Sequence, residues 1–205
     1  MRRTVAALAL GAATSVGLLA CEERSPVATE AEPVPEAPEP SAVDPCVRRA
    51  DAAARRLGNH LKTRLVAALG QGPEAAVQAC AEEAQAIHRQ VAEETGVRVG
   101  RTASKLRNPT NAESPAWVRA YLQQHAESRM PTPTVRERRG LKARVLLPLG
   151  ASGICQTCHG VAVSPQVRAV LAERYPDDEA VGFAPDDLRG VLWAEADCDG
   201  APAVR

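Results

Sequence analysis

The chain has 205 residues, and its 25 lysines and arginines balance its 25 aspartates and glutamates to a formal net charge of +0. This length fits one domain with appendages, and the lack of a basic excess argues against nucleic acid as a partner. Aromatic residues make up only 2% of the chain. Their scarcity favours a core completed by a cofactor, although alanine, leucine and valine can also fill a core.

Residues 1–20 are predicted to be a lipoprotein-type signal peptide. Arg2-Arg3 precedes an apolar run, residues 5–20, that carries no charge and is too short to span a bilayer comfortably. The run ends in Leu-Leu-Ala-Cys at Cys21, which resembles a bacterial lipoprotein processing box and implies a lipid on Cys21. An ordinary cleaved signal followed by an incidental cysteine is the alternative. We expect an exported protein, lipid-anchored to a bacterial membrane and facing the periplasm or the cell exterior.

Residues 21–44 are predicted to be a flexible tether. They are rich in proline and glutamate and have almost no large apolar side chain. A segment of this composition cannot bury a core and stays extended. It would hold the predicted domain, residues 45–205, away from the membrane.

Four helices are predicted within the domain from apolar residues that recur every three to four positions. They begin at Asp44-Pro45, Pro73, Ser114-Pro115 and Ser164-Pro165. The first ends at Gly70 and the second at Gly96, because glycine commonly terminates a helix. Cys80 lies on the apolar stripe of the second helix, so its side chain is expected to point inward.

Three segments are predicted to be strands: residues 97–105, 143–149 and 190–194. The first alternates weakly between apolar and polar residues, and the second is a short apolar run bounded by proline and glycine. Helices and strands together predict an α+β fold in which a small antiparallel sheet is flanked by helices.

The segment Cys155-Gln156-Thr157-Cys158-His159 is the Cys-x-x-Cys-His signal for haem attachment. Two thiols at this spacing add across the two vinyl groups of one haem, and the next histidine then lies under the iron. We therefore predict one covalent haem c, held by Cys155 and Cys158, with His159 as an iron ligand. A zinc site would need more ligands and usually a second paired motif. A thioredoxin-like pair would begin a helix after a strand and lack the histidine.

The second iron ligand is expected upstream, because neither histidine nor methionine follows His159. Cys80 is the most inward-facing donor, although a buried cysteine is more often a small hydrophobic residue. The remaining donors are His60, His88, His125 and Met130. The spacing predicts that the first two are solvated, that His125 is a hydrogen-bonded interior histidine, and that Met130 lies on a surface loop.

The six cysteines can each be given a role. Cys21 takes the lipid, and the two cysteines of the motif take the haem. Cys46 and Cys198 lie at the two ends of the domain, where a disulfide between them would close it. Cys80 is then left alone, and an unpaired thiol in an exported protein needs an explanation that iron coordination supplies.

Further motifs are arranged around the haem signal in a specific order. They are Gly72-Pro73, Cys80, Arg101-Thr102, Arg107-Asn108-Pro109-Thr110-Asn111, Trp117, the haem motif with Gly160, Tyr175-Pro176-Asp177-Asp178, Gly182, and Asp187-Leu188-Arg189-Gly190. Over residues 51–192 this order resembles the c-type haem domains with a PAS-like fold, which occur as free exported proteins or as sensing regions of membrane histidine kinases. The chain departs from that pattern at Ala103, at Asp186, and by one extra residue before Trp117.

This resemblance implies a PAS-like fold in which His159 and the thiolate of Cys80 hold the haem iron. Arg101, Lys105 and Arg107 are candidates to contact the haem propionates, because guanidinium groups suit paired carboxylates. A solvated strand face explains these three residues equally well.

A histidine and a thiolate leave iron with no open position, so we do not expect an enzyme. Two functions fit this ligand set: a redox or diatomic-gas sensor, in which Cys80 leaves the iron, and a low-potential electron-transfer cytochrome c. A haem that only stabilises a binding module is a third reading. Nothing in the chain resembles an output domain, so either main function needs a separate signalling or redox partner protein.

Overall fold

The structure is a computed structural model that describes residues 44–198. The predicted signal peptide, the lipidation site Cys21 and nearly all of the predicted tether lie outside the described residues. Within residues 44–198, no helix combines the length and the apolar character needed to cross a membrane.

The described chain contains six α-helices, four of which match the predicted starts. They are α1 (Pro45–Leu69), α2 (Pro73–Glu82), α3 (Ala84–Thr95), α4 (Ala116–His125), α5 (Gln156–His159) and α6 (Pro165–Arg174). The predicted start of α1 is confirmed, because Oδ1 of Asp44 accepts hydrogen bonds from the backbone N–H groups of Cys46 at 2.7 Å and Val47 at 3.4 Å. Proline at the first helical position adds to this capping.

The prediction of one continuous helix from Pro73 to Gly96 is wrong. The chain breaks at Glu83, with φ −104° and ψ −25°, and this break separates α2 from α3. The carboxylate of Glu83 is held by Arg64 of α1, whose Nε and Nη2 lie 2.5 and 2.6 Å from its two oxygens. The apolar stripe continues across the break, so periodicity alone does not reveal it. The predicted end is confirmed, since Gly96 adopts a left-handed conformation with φ 62°.

A four-stranded antiparallel sheet supports the helices, which confirms the predicted α+β class. Its strands are β1 (Arg98–Thr102), β2 (Val135–Arg139), β3 (Lys142–Gly150) and β4 (Leu188–Asp197), in the order β1-β4-β3-β2. Arg101 of β1 and Leu147 of β3 both pair with Leu192 of the central strand β4. The strand predicted over residues 97–105 is too long, because β1 ends at Thr102.

Strand β2 is missing from the sequence prediction. Its residues, Val-Arg-Glu-Arg-Arg, include a single apolar side chain, so no alternation marks them as a strand. It lies at the edge of the sheet and pairs with β3 through a hairpin whose turn contains Gly140 at φ 58°. Charged edge strands are common because they discourage pairing with other chains.

The core lies on both faces of the sheet. Helix α1 packs the small side chains of Ala50, Ala53 and Ala54 against β3 and β4, while α4 covers the other face with Val118 and Leu122. A disulfide joins Cys46 in the first turn of α1 to Cys198 just after β4, with their Cα atoms 5.6 Å apart. The two ends of the described chain are therefore tied together.

Candidate functional site

A cavity of about 760 Å³ lies between α1, α2, α3, the end of the sheet and the segment that contains α5. Much of its wall is aliphatic. The large apolar side chains include Leu61, Leu65, Leu69, Ile87, Leu149 and Leu192. Both the volume and the apolar wall are those of a site for a small molecule or cofactor.

The four side chains predicted to bind haem all line this cavity. Cys155, Cys158 and His159 reach it from the segment after β3, and Cys80 reaches it from α2. The contact between these two parts of the chain is direct, because Cys158 packs against a cluster that includes Val77 of α2 and Leu171 of α6. The fold therefore brings together residues that are far apart in sequence.

The haem-type motif is held in a compact turn. A 3-10 turn, Gly153–Cys155, leads directly into α5, so Cys155 and Cys158 are three residues apart on consecutive helical turns. Gly160 ends the turn, where a Cβ atom would lie 2.7 Å from the backbone oxygen of Gln156. The backbone N–H of Phe183 donates to the carbonyl of His159 at 3.0 Å, which fixes the motif to the loop before β4.

The imidazole of His159 is held in its neutral form. Its Nδ1 lies 2.6 Å from the carbonyl oxygen of Ala180. Because a carbonyl only accepts, Nδ1 carries the proton and the lone pair is on Nε2. Burial lowers the pKa of His159 to about 2, and the nearby charges of Arg189 and Arg107 act in the same direction. Neutral imidazole is the form that binds metals.

Arg107 clamps the motif to a neighbouring loop. Its Nη2 lies 2.9 Å from Oδ2 of Asp178 and donates to the carbonyl of Cys158 at 2.6 Å and to that of Ala180 at 3.3 Å. Only 10% of either charged side chain is exposed. Arg107 lines the cavity, as predicted for a propionate contact, but its guanidinium is already bound to protein acceptors.

Replacing Asp178 by asparagine is expected to lower the free energy of unfolding by about 3–5 kcal/mol, because the Arg107 charge stays buried without its partner. Urea unfolding would measure the loss. Glu137→Gln is the matched control, since it breaks the exposed Arg139–Glu137 pair, in which 67% of the arginine side chain is exposed. That change should cost about 1 kcal/mol or less. Equal losses in the two variants would contradict the clamp.

The other two cationic residues that were candidates to contact the haem propionates also line the cavity. Arg101 comes from β1, and Lys105 comes from the loop after it. The Lys105 ammonium lies 5.2 Å from the centroid of the Phe183 ring, in a cation–π contact, and its side chain is exposed.

Sequence reasoning assigned no chemistry to Arg189, although it belongs to the Asp187-Leu188-Arg189-Gly190 motif. Its Nη2 lies 3.1 Å from Nε2 of His159. Burial lowers the pKa of Arg189 to about 10, with the charges of Arg101 and Arg107 contributing, so it stays cationic at neutral pH. Only the tertiary structure shows this contact, because residues 159 and 189 are separated by α6 and two loops.

None of the alternative upstream donors lines the cavity. His60 lies on a separate groove beside α1. His125 stacks on Tyr121, with ring centroids 4.4 Å apart. Met130 is not mere loop surface as predicted, because its sulfur accepts a hydrogen bond from Thr132 at 2.9 Å and it packs against a core cluster.

The prediction that His88 is solvated is wrong. Burial lowers the pKa of His88 to about 4, with a contribution from the Arg101 charge. Its Nε2 atom is buried without a hydrogen-bond partner among the described residues. The position of His88 relative to the apolar stripe of the helix does not reveal this, because the nearby Arg101 belongs to strand β1.

The motif also raised a zinc site and a thioredoxin-like pair as alternatives. Residues 44–198 contain no group of three or more His, Cys, Asp or Glu side chains arranged to hold a metal ion. Burial also raises the pKa of the Cys158 thiol.

The fold and site define an α+β protein with a cation-rich, aliphatic cavity that contains a Cys-x-x-Cys-His turn and a distant cysteine. The chain belongs to the Tll0287-like family, whose sequence profile matches residues 16–194. Among solved structures it is similar to the cyanobacterial haem protein Tll0287, with 26% sequence identity and a TM-score of 0.47, over 62% of this chain and 73% of that chain. No curated protein matches the chain significantly.

Proposed function

We propose that this chain binds one haem covalently through thioethers at Cys155 and Cys158, with His159 and Cys80 as the two iron ligands. The observation that carries the proposal is that all four side chains line one cavity. Membership of a family named after Tll0287, a protein described as a haem protein, supports the same cofactor.

The residues of the cavity fit a haem in three respects. Its aliphatic wall suits the porphyrin ring. The neutral Nε2 of His159 suits iron, and cationic side chains on the lining suit the two propionates. A haem bound here supplies an iron that exchanges one electron between its ferric and ferrous states. A thiolate ligand stabilises the ferric state, so the proposed reduction potential is low.

We also propose a PAS-like fold and an exported, lipid-anchored location. The four-stranded antiparallel sheet with helices around the cavity supports a PAS-like domain. The signal-like N-terminal sequence ending at Cys21 supports export and a lipid anchor. The disulfide between Cys46 and Cys198 supports an oxidising compartment outside the cytoplasm.

As a physiological role we propose redox or diatomic-gas sensing, with a separate protein receiving the signal. Cys80 lies on α2, a ten-residue helix bounded by Gly72 at φ 120° and by the break at Glu83. A short helix with a break at each end can shift when its cysteine leaves the iron. Because His159 and Cys80 would together occupy both axial positions of the iron, catalytic turnover is not part of the proposal.

A low-potential electron-transfer role is the alternative, and one observation favours it. Val161, directly after the motif, is 70% exposed, whereas Ile154 lines the cavity. A large exposed apolar side chain beside the motif could form part of a surface on which another protein docks. A redox partner bound there would lie next to the proposed haem.

Carbon monoxide binding distinguishes the two roles. In a sensor, the ferrous protein should bind CO with loss of the Fe–S bond, seen as loss of thiolate features in the absorption spectrum. Removal of CO and reoxidation should restore the starting spectrum, which controls for irreversible damage. A ferrous protein that stays six-coordinate and excludes CO through repeated redox cycles would contradict the sensor role and support the carrier.

A further inference from the structure

The described lining of the cavity is strongly one-sided in charge. It contains six cationic side chains and no acidic one. The cations are Lys62, Arg64, Arg101, Lys105, Arg107 and Arg189. Buried positive charge is costly unless it is paired, so a cavity of this kind favours an anionic occupant.

Most of these cations are already engaged or lie at the surface. Arg64 is bound by both oxygens of Glu83, and Arg107 is bound by Asp178 and by two carbonyl groups. Lys62 and Lys105 are exposed. An arginine whose guanidinium N–H groups already donate to protein acceptors has less capacity to bind a further carboxylate.

Arg101 and Arg189 are the exceptions. Neither forms an ion pair with any acidic side chain in residues 44–198, and the Arg189 guanidinium instead lies against Nε2 of His159. An imidazole nitrogen has a single lone pair, which it cannot give both to iron and to an arginine N–H. Iron binding at His159 therefore leaves the Arg189 guanidinium in need of another acceptor.

The two arginines come from adjacent strands at the same end of the sheet. Arg101 lies on β1, and Arg189 lies on β4 next to Gly190. The strands approach so closely there that a Cβ atom on Gly190 would lie 2.6 Å from the backbone oxygen of Thr102. Both guanidinium groups are cationic and line the same cavity. A pair of carboxylates bound between them would balance both charges.

We propose that Arg101 and Arg189 form the anion-binding site of the cavity and hold the two haem carboxylates, whereas Arg107 acts only as a clamp on the haem motif. This inference rests on the proposed function and deepens it by assigning the propionate contacts. Sequence reasoning offered Arg101, Lys105 and Arg107 instead, because it could not show which cations already have partners.

The test uses the haem-loaded protein and the variants Arg189→Gln and Arg101→Gln. Removing a positive charge beside a propionate stabilises ferric haem, so each change should shift the ferric–ferrous equilibrium about tenfold toward ferric, or 59 mV for one electron. The propionate bending mode in the resonance Raman spectrum should shift as well. Arg168→Gln is the control, since it removes an exposed arginine on α6 that does not line the cavity.

The variant Arg189→Lys keeps the positive charge but loses the planar guanidinium group. Its reduction potential should lie closer to the wild-type value than that of Arg189→Gln, while the propionate mode stays shifted. If Arg189→Gln does not load haem, Arg189→Lys takes its place in the comparison with the wild-type protein. The inference is overturned if the Gln variants match Arg168→Gln in both readouts, or if Arg107→Gln alone moves the propionate mode. A wild-type protein without attached haem would instead overturn the proposed function.

Discussion

Replacing Cys80 by alanine is expected to abolish the low-spin thiolate signal in the ferric EPR spectrum. Within residues 44–198, the cavity lining offers no other upstream sulfur or imidazole, because His60, His88, His125 and Met130 all lie elsewhere. The iron should therefore become high-spin or take up water. Loss of an anionic donor should also raise the reduction potential, since thiolate favours the ferric state.

Cys80→Ser is the matched control for this experiment. It keeps the size and polarity of the side chain, so it should preserve the packing of α2 while losing the soft sulfur ligand. Covalent haem content should stay at the wild-type level in both variants, because Cys80 takes no part in attachment. An unchanged thiolate-type signal in Cys80→Ala would remove Cys80 from the ligand set.

The second large effect is expected at the two attachment cysteines. A Cys155→Ala/Cys158→Ala double variant should carry no haem after denaturation, since no thioether remains to hold it. Each single variant should retain haem through one bond and show a shifted absorption maximum, because one vinyl group stays unsaturated. Haem staining of a denaturing gel and intact-protein mass would measure attachment.

The matched control removes two cysteines from a different place. Cys46→Ala/Cys198→Ala eliminates the disulfide and should lower the free energy of unfolding by about 2–5 kcal/mol while leaving haem attachment intact. Equal loss of haem in both double variants would indicate a general folding failure. Full haem retention in the Cys155/Cys158 double variant would contradict covalent attachment.

Much of the fold is predictable from local pattern because the signals are local. Asp44-Pro45 caps α1 through its own side chain, and Gly96 ends α3 through its own backbone conformation. No local sequence signal marks the break between α2 and α3 at Glu83. The contact found at the break is an ion pair between Glu83 and Arg64, which lies on another helix. The sequence of β2 also lacks the alternation of apolar and polar residues that would predict a strand, because β2 pairs with β3 at a charged, solvated edge of the sheet.

In the candidate site, too, some features can be predicted from local sequence, whereas others depend on contacts that only the fold creates. The spacing of Cys155, Cys158 and His159 identifies their chemistry directly, and helical periodicity places Cys80 inward. The roles of the arginines depend on which acceptors the fold brings near each one. Asp178 meets Arg107, while Nε2 of His159 meets Arg189, and neither contact follows from sequence spacing. The burial of His88 has the same tertiary origin.

The attached cofactor is tested most directly by an alkaline pyridine haemochrome spectrum of the wild-type protein after denaturation and acid–acetone extraction. The haem should stay with the polypeptide and give the absorption maximum of a porphyrin with both vinyl groups saturated. The double variant at Cys155 and Cys158 serves as the blank. A colourless polypeptide with both thiols free, or a haem that passes into the acetone with its vinyl groups intact, would rule out covalent attachment.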